Sequence, residues 1–255
     1  MIKTNEIKEL FEHAVLSEYD SLIKEFESDE RVSVKKIIEK YKKKQSDYLA
    51  ELERIEMMKY FEKKYSDYHF ICGIDEVGRG PLAGPVCAGA VILPKNENIL
   101  YLNDSKQLSA KKREELYDVI CEKSIAHATA LVSHDTIDRI NILQATYEAM
   151  RQAITKLSKK PDILLNDAVT IPDVSPDIVQ VPIIKGDAKS VSIAAASILA
   201  KVERDRLMEE YDTIYPEYGF ASNKGYGSKA HLEAIRTYGP SPIHRLTFIK
   251  NIIAD

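Results

Sequence analysis

The sequence predicts an α/β domain behind a helical N-terminal extension. Three observations carry this reading. From His69 onward, short apolar runs alternate with helical patterns, the order expected when helices cover a sheet. Before Gly73 there is no Gly or Pro, and apolar residues recur at helical spacing. Several of the later apolar runs stop at an acid, and open α/β sheets gather ligands beyond their strand ends.

In the extension, residues 1–67, the helical sets are Ile7, Leu10, Phe11 and Val15, then Val34, Ile37, Ile38 and Tyr41, then Tyr48, Leu49, Leu52 and Ile55. They predict two or three helices broken near Ser28 to Arg31, with Ser33 as cap of the second. Lys42 to Lys44 are either a solvated helix face or a grip on a phosphate backbone; acids nearly balance bases here. Residues 68–255 form the second expected domain. Strands are predicted at 70–75, 86–93, 126–132, 161–165 and 178–184, with a short one at Leu100 and Tyr101. Helices are predicted at 109–123 with Ser109 as cap, at 136–140, and at 142–157 with Leu143, Tyr147, Met150 and Ile154 on one face. A long helix from Lys189 to about Tyr211 is rich in Ala and Ser, which lets it lie close on a sheet; a last helix runs from Lys229 to about Tyr238.

A chain of 255 residues can bury a sizeable core. Its net charge of -4 excludes a globally basic nucleic-acid binder, so any such binding must rest on a local patch. Three cysteines, Cys72, Cys87 and Cys121, have no metal-type spacing and suit a reducing compartment. The charged N-terminus lacks a signal-peptide apolar core, and no apolar run approaches membrane-spanning length. A cytoplasmic monomer with no membrane association is expected.

The chemistry centres on Gly73 to Val86, GIDEVGRGPLAGPV. Asp75 and Glu76 stand together at the end of an apolar run, beside a turn holding Gly78, Arg79 and Gly80. Adjacent carboxylates repel unless a cation sits among them or one takes a proton. Asp167 and Asp187 follow two further strands. Taken singly, Asp167 is an ordinary turn residue and Asp187 a cap for the helix at Lys189. Taken together, the four form a hard-oxygen set that suits magnesium or manganese better than zinc. Two such ions hydrolyse a phosphodiester by activating water and steadying the leaving oxygen. Gly225-Tyr226-Gly227 holds an aromatic on a flexible turn, the kind of ring that stacks on a base or sugar. Lys106, Lys189, Lys201, Arg204 and Lys224 are candidate phosphate contacts.

Gly78 to Ala83 also matches the dinucleotide fingerprint G-x-G-x-x-A, with Glu97 near the place of a ribose-binding acid. That reading fails on context. The fingerprint needs a helix to open at the glycines, whereas Pro81, Gly84 and Pro85 lead into a strand.

These residues resemble bacterial ribonuclease HII. The resemblance runs from His69 to the end through GIDEVGRGPLAGPV, the DSK of Asp104 to Lys106, the strand ending in Asp167, KGDAKSVSIAAASILAKV from Lys185 to Val202, GYGS at Gly225 to Ser228, and His244-Arg245. The arginine of Gly78 to Gly80 separates it from the sister type HIII. The resemblance implies an RNase H-like fold, a central mixed sheet flanked by helices. It implies endonucleolytic cleavage of RNA in RNA–DNA hybrids and at ribonucleotides embedded in duplex DNA, leaving 5′-phosphate and 3′-hydroxyl ends, in ribonucleotide removal during replication and repair. Asp75, Glu76, Asp167 and Asp187 match the family's acids for two Mg2+ or Mn2+ ions. Gly78, Arg79 and Gly80 match the turn that meets the 2′-hydroxyl, and Tyr226 matches the tyrosine at the RNA–DNA junction. Lys106 and Lys189 fall within the matched motifs as further substrate contacts. A non-catalytic, metal-stabilised nucleic-acid-binding module is the second reading.

Three positions depart from the family pattern or compete with it. Asn166 stands where an aliphatic residue is expected, and Ser228 where threonine is commoner. Asp205 competes with Asp187 as fourth acid, but its arginine neighbours favour a salt bridge.

Overall fold

The computed structural model describes residues 2–253. Contacts divide the chain into two units, Met1–Glu56 and Met57–Asp255.

The first unit contains α1 (Thr4–His13), α2 (Tyr19–Phe26) and most of α3 (Val32–Met58). Their apolar positions close on one core of Ile7, Phe11, Tyr19, Ile23, Phe26, Val34, Ile38 and Tyr41. The Tyr41 ring lies 4.8 Å from that of Phe11 and meets Tyr19 edge-on at 5.1 Å. The break falls where the sequence places it. Asp29 turns the chain there by accepting hydrogen bonds from the Arg31 amide and guanidinium. Ser33 does not cap α3: the helix begins at Val32, which puts Ser33 in its first turn. Lys44 is committed to the fold, since it donates to the Tyr19 hydroxyl at 2.8 Å and stands over the Tyr19 and Tyr41 rings.

The second unit opens with α4 (Tyr60–Lys64) and is built on five strands. These are β1 (Ile71–Val77), β2 (Val86–Ile92), β3 (Ala126–Val132), β4 (Ile163–Asp167) and β5 (Val179–Ile183), in the spatial order β3-β2-β1-β4-β5. The sheet is mixed. β1 and β3 run antiparallel to β2, whereas β4 is parallel to β1 and to β5. Between strands lie α5 (Ala110–Lys123), α6 (His134–Ile140) and α7 (Ile142–Lys156), and the long α8 (Val191–Ile214) follows β5. The chain closes with α9 (Phe220–Asn223), α10 (Lys229–Tyr238) and α11 (Leu246–Ile253).

Alternation along the strands sorts the two faces. Cys72, Ile74, Ala88 and Ala90 join Ala145, Ala149, Met150 and Ala153 of α7 in one core. On the opposite face, Gly73 and Gly89 meet the backbone of α8 at Ser192 and Ala196. The small residues of α8 thus allow the close approach that the sequence suggests. At the start of α8, the Glu62 carboxylate of α4 accepts from the Ser190 hydroxyl at 2.5 Å and from the Ser192 hydroxyl at 2.6 Å.

Four local expectations are corrected. Leu100 and Tyr101 form a turn rather than a strand; β2 already has partners along both edges, and Ile99 and Leu102 pin the segment by burial. The buried face of α7 is Ala145, Thr146, Ala149, Met150 and Ala153, so Leu143 is exposed and only Met150 of the predicted four is fully buried. Ser190, not Asp187, caps α8, accepting from the Ile193 amide. Glu76 and Asp167 lie within their strands rather than after them, whereas Asp75 lies in β1 as predicted.

Candidate active site

β1, β4 and β5 are parallel neighbours, so their C-terminal ends lie side by side. β1 supplies Asp75 and Glu76, and β4 ends in Asp167. The tight turn Gly186–Ala188 after β5 supplies Asp187. The Asp167 carboxylate accepts from the Gly186 amide at 2.7 Å, which fixes that turn to the end of β4. All four acids line one cavity of about 330 Å³, together with Ser105, Lys106, Ser197, Lys201 and Tyr226.

Charge in this cavity is under-compensated. Burial pushes the Asp75 carboxyl well above the usual carboxylate range, and the neighbouring Glu76 charge adds to it; the Ser197 hydroxyl opposes, and Asp167 adds a further push. Glu76 is raised by burial, against the hydrogen bond and charge of Arg79. Burial also raises Asp187, followed by the charges of Asp104 and Asp167, with Lys106 opposing. Arg79 reaches Glu76 Oε1 at 3.1 Å, but Glu76 Oε2 is buried without a hydrogen-bond partner. An orphaned carboxylate oxygen among acids held toward protonation fits a hard divalent cation, whose charge would reverse each shift. Among the described residues no three His, Cys, Asp or Glu side chains are already gathered into a chelate.

The other predicted contacts separate into two groups. Lys106 and Tyr226 line the cavity. Lys189 instead donates to the Ile184 carbonyl at 2.9 Å and is not among the lining residues. Lys224 is bound to Glu209 at 2.6 Å. Asp205 pairs with Lys201 at 2.6 Å and Arg113 at 3.7 Å, outside the acid cavity, so it does not compete with Asp187. Arg204 is fully buried and donates to the carbonyls of Pro85, Ala83 and Lys224, which removes it as a phosphate contact.

The Gly78–Gly80 turn is held against the Tyr226 turn. The Leu82 amide donates to the Gly225 carbonyl at 2.7 Å, and Gly80 faces the Tyr226 ring. At Gly78, φ is +88°, and a Cβ there would stand 2.3 Å from the Arg204 Nε, so only glycine fits. No helix opens at these glycines: β2 follows at Val86, as the rejection of the dinucleotide reading requires.

Behind Tyr226 lies a buried imidazole pair. His231 Nδ1 donates to the Tyr226 carbonyl at 2.9 Å, which leaves its Nε2 to accept from His244 Nε2 at 2.9 Å. His244 Nδ1 in turn accepts from the Ser241 amide at 2.9 Å. Every proton has a place only while both rings are neutral. Burial, then the His231 ring, pushes His244 down to about 4, and burial lowers His231 as well. An unfolded histidine titrates near ~6.5, so between pH 6.5 and pH 4 the unfolded chain binds the extra protons. Stability from this pair is therefore complete above the unfolded value and is lost as pH falls through the folded one. Across that window the wild type should lose about 3 kcal/mol more than His244→Gln. Urea unfolding at several pH values checks this, and parallel pH slopes would refute it.

The ribonuclease HII family model matches residues 72–251, and the model of the ribonuclease HII N-terminal domain matches residues 3–66. The chain belongs to the ribonuclease HII family. It is 60% identical over 251 residues to ribonuclease HII of Lachnoclostridium phytofermentans, covering 98% of each chain. To ribonuclease HII of Clostridioides difficile it is 52% identical, covering 97% of each. The structure of the ribonuclease H2 from Pyrococcus horikoshii superposes with a TM-score of 0.58 at 29% identity, covering 73% of this chain and 98% of the other. The five-stranded mixed sheet with flanking helices is the RNase H-like arrangement that the resemblance implies. The chain is thus an endonucleolytic hydrolase of a family that depends on divalent metal. Among the described residues no helix is long and apolar enough to cross a membrane.

Both departures from the ribonuclease HII pattern have local accounts. Asn166 is fully buried and donates to Gln180 Oε1 at 3.0 Å; Gln180 then holds the Ile171 backbone at both its amide and its carbonyl. Ser228 caps α10 by accepting from the His231 amide, a task threonine also performs. Sequence reasoning missed Asp104, Ser105 and Ser197 as neighbours of the acids, and Arg204, Arg245 and His231 as supports of the turns. Asp104, Ser105, Ser197 and His244-Arg245 stood in quoted motifs without an assigned role, Arg204 was expected on phosphate, and His231 had no signal.

Proposed function

We propose that the chain hydrolyses the RNA strand of RNA–DNA hybrids and cuts at ribonucleotides embedded in duplex DNA, leaving 5′-phosphate and 3′-hydroxyl ends. The observation that carries this is the single cavity lined by Asp75, Glu76, Asp167 and Asp187 with Tyr226 on its wall. In this reading residues 68–255 are the catalytic domain, 1–67 an accessory extension, and the protein works as a monomer in ribonucleotide removal. The four acids hold two divalent ions, Mg2+ or Mn2+, which when bound activate water and neutralise charge on the phosphate.

The chain's own residues do the rest. Asp75, Glu76, Asp167 and Asp187 would each supply carboxylate oxygens to the ions. Lys106 offers positive charge to a phosphate at the cavity's edge. Backbone amides of the Gly78–Gly80 turn and the Tyr226 hydroxyl meet the ribose 2′-hydroxyl, the group that distinguishes RNA from DNA. Arg79 opposes the push toward protonation that burial gives Glu76. Lys189 contacts substrate in this reading only if it leaves the Ile184 carbonyl.

The test is cleavage of duplex DNA carrying one ribonucleotide, with Mg2+ or Mn2+ present and then with chelator. Metal-dependent incision at the ribonucleotide is expected; incision in chelator, or none on any ribonucleotide-containing duplex, would overturn the proposal. Tyr226 is 44% exposed, so Tyr226→Ala should leave the melting temperature nearly unchanged. It should lower kcat/KM on the single-ribonucleotide duplex by about 10- to 100-fold, a lost base or sugar contact being worth ~1–3 kcal/mol. The long hybrid should be less affected, and equal losses on both substrates would count against a junction role.

A further inference from the structure

Arg245 stands in a late motif that carries no assigned role, yet it is among the largest fully buried side chains. Among the described residues it forms no ion pair. Its guanidinium is spent on the backbone of the Gly78–Gly84 turn: Nη2 donates to the Gly78 carbonyl at 2.6 Å, Nη1 to the Arg79 carbonyl at 3.0 Å, and Nε to the Gly84 carbonyl at 2.9 Å. Arg204 does the same from the α8 side, with Nε on Pro85, Nη2 on Ala83 and Nη1 on Lys224. A buried cation is tolerated when carbonyl dipoles surround it. Here those dipoles come from the turn proposed to read the substrate and from the residue before Gly225.

The peptide unit converts this into direction. A trans peptide is planar, and its C=O and N–H point opposite ways; among the described residues no peptide bond is cis. The Gly78 carbonyl shares a plane with the Arg79 amide, and the Arg79 carbonyl shares one with the Gly80 amide. With both carbonyls drawn inward onto Arg245, both N–H groups face outward. Arg79 and Gly80 are exposed, and neither amide has a hydrogen-bond partner among the described residues. By contrast, the Leu82 and Gly84 amides in the same turn are occupied by the Gly225 and Ile243 carbonyls.

We propose that Arg245 is a positioning residue for ribonucleotide recognition: by holding the Gly78 and Arg79 carbonyls it aims the Arg79 and Gly80 amides at a hydroxyl oxygen of the substrate ribose. Arg204 steadies the far end of the turn and couples it to the Tyr226 loop. The inference rests on the proposed role of Gly78 to Gly80 in meeting the 2′-hydroxyl.

The test uses Arg245→Lys, which keeps the charge but cannot reach three carbonyls with a planar fork. Met150→Ala, a cavity in the core on the other side of the sheet, is the control for lost stability alone. Affinity is measured in Ca2+, without turnover, for a duplex with one ribonucleotide and for the same duplex in DNA, at a temperature where each variant is folded by circular dichroism. Arg245→Lys should lower the ribonucleotide-to-DNA affinity ratio about tenfold, equivalent to ~1.4 kcal/mol, and raise KM more than it lowers kcat. Met150→Ala should keep the wild-type ratio. An unchanged ratio in Arg245→Lys, or an equal fall in Met150→Ala, overturns the positioning role. A wild type that does not discriminate the two duplexes overturns the underlying reading of the turn instead. If Arg245→Lys does not fold, Arg204→Lys is measured in the same way; it should lower the ratio by a smaller factor, and no change there also overturns the proposal.

Discussion

Asp75→Asn should abolish cleavage while making the protein no less stable. Asp75 is 5% exposed and sits beside Glu76, with Asp167 also near enough to raise its pKa. Removing its charge removes a repulsion that the empty fold must bear. The amide oxygen can still accept the Glu76 amide hydrogen bond, which the carboxylate holds at 2.8 Å. The melting temperature should therefore hold or rise. Activity behaves in the opposite way, because Asp75 would be a metal ligand in the proposed reading and a neutral amide would hold a divalent cation far less well than a carboxylate. Metal ligation supplies several kcal/mol of transition-state stabilisation, so a loss of at least about 1,000-fold is expected. Affinity for the RNA–DNA hybrid should stay within about threefold of wild type, or tighten, since one negative charge near the phosphates is gone. Single-turnover cleavage, hybrid titration and thermal melting on one preparation decide the matter. Retention of a tenth of the activity, or loss of binding together with cleavage, would remove Asp75 from the metal set.

How much of this was legible in the sequence depends on how local each signal is. The acids were readable because an apolar run that stops at Asp or Glu marks a strand end by itself, and parallel neighbours then bring such ends together. Tyr226 was readable because two glycines isolate it. Their supports were not. Lys201 and Arg204 read as phosphate contacts and Asp205 as a salt-bridged acid, yet Arg204 is fully buried because the turn from Gly78 to Pro85 lies across that face of α8. Which helix face is covered is set by a segment more than a hundred residues away, and periodicity carries no such information. The cap of α8 failed for the opposite reason. Asp187 and Ser190 both qualify locally, and a turn at Gly186–Ala188 intervenes, handing the cap to Ser190 and leaving Asp187 free for the cavity. The four-residue face predicted for α7 failed because alanine is a weak marker: Ala145, Ala149 and Ala153 form the contact with the sheet, and larger residues drew attention to the neighbouring face.

The small residues of α8 lead to the largest expected effect on stability. Gly73→Ala should prevent folding or cost more than about 4 kcal/mol, a loss comparable with the whole stability of many domains. A Cβ at Gly73 would stand 2.1 Å from the Ser192 carbonyl carbon and 2.3 Å from the Ile193 nitrogen. These are helix backbone atoms, so no side chain can swing aside. Relief requires moving α8 away from β1, and α8 carries Ser197, Lys201 and Arg204 into the site and its supports. Gly89→Ala, on the neighbouring strand β2, should behave alike, with its Cβ 2.3 Å from the Ala196 carbonyl oxygen of α8. Gly80→Ala is the contrasting case. Its nearest neighbour would be Tyr226 Cε1 at 3.6 Å, an ordinary contact, so the variant should melt within a few degrees of wild type. Urea midpoints for the three variants test the packing directly. If Gly73→Ala unfolds within about 1 kcal/mol of wild type, α8 does not lie against β1 as closely as described, and the placement of Ser197 beside Asp75 fails with it.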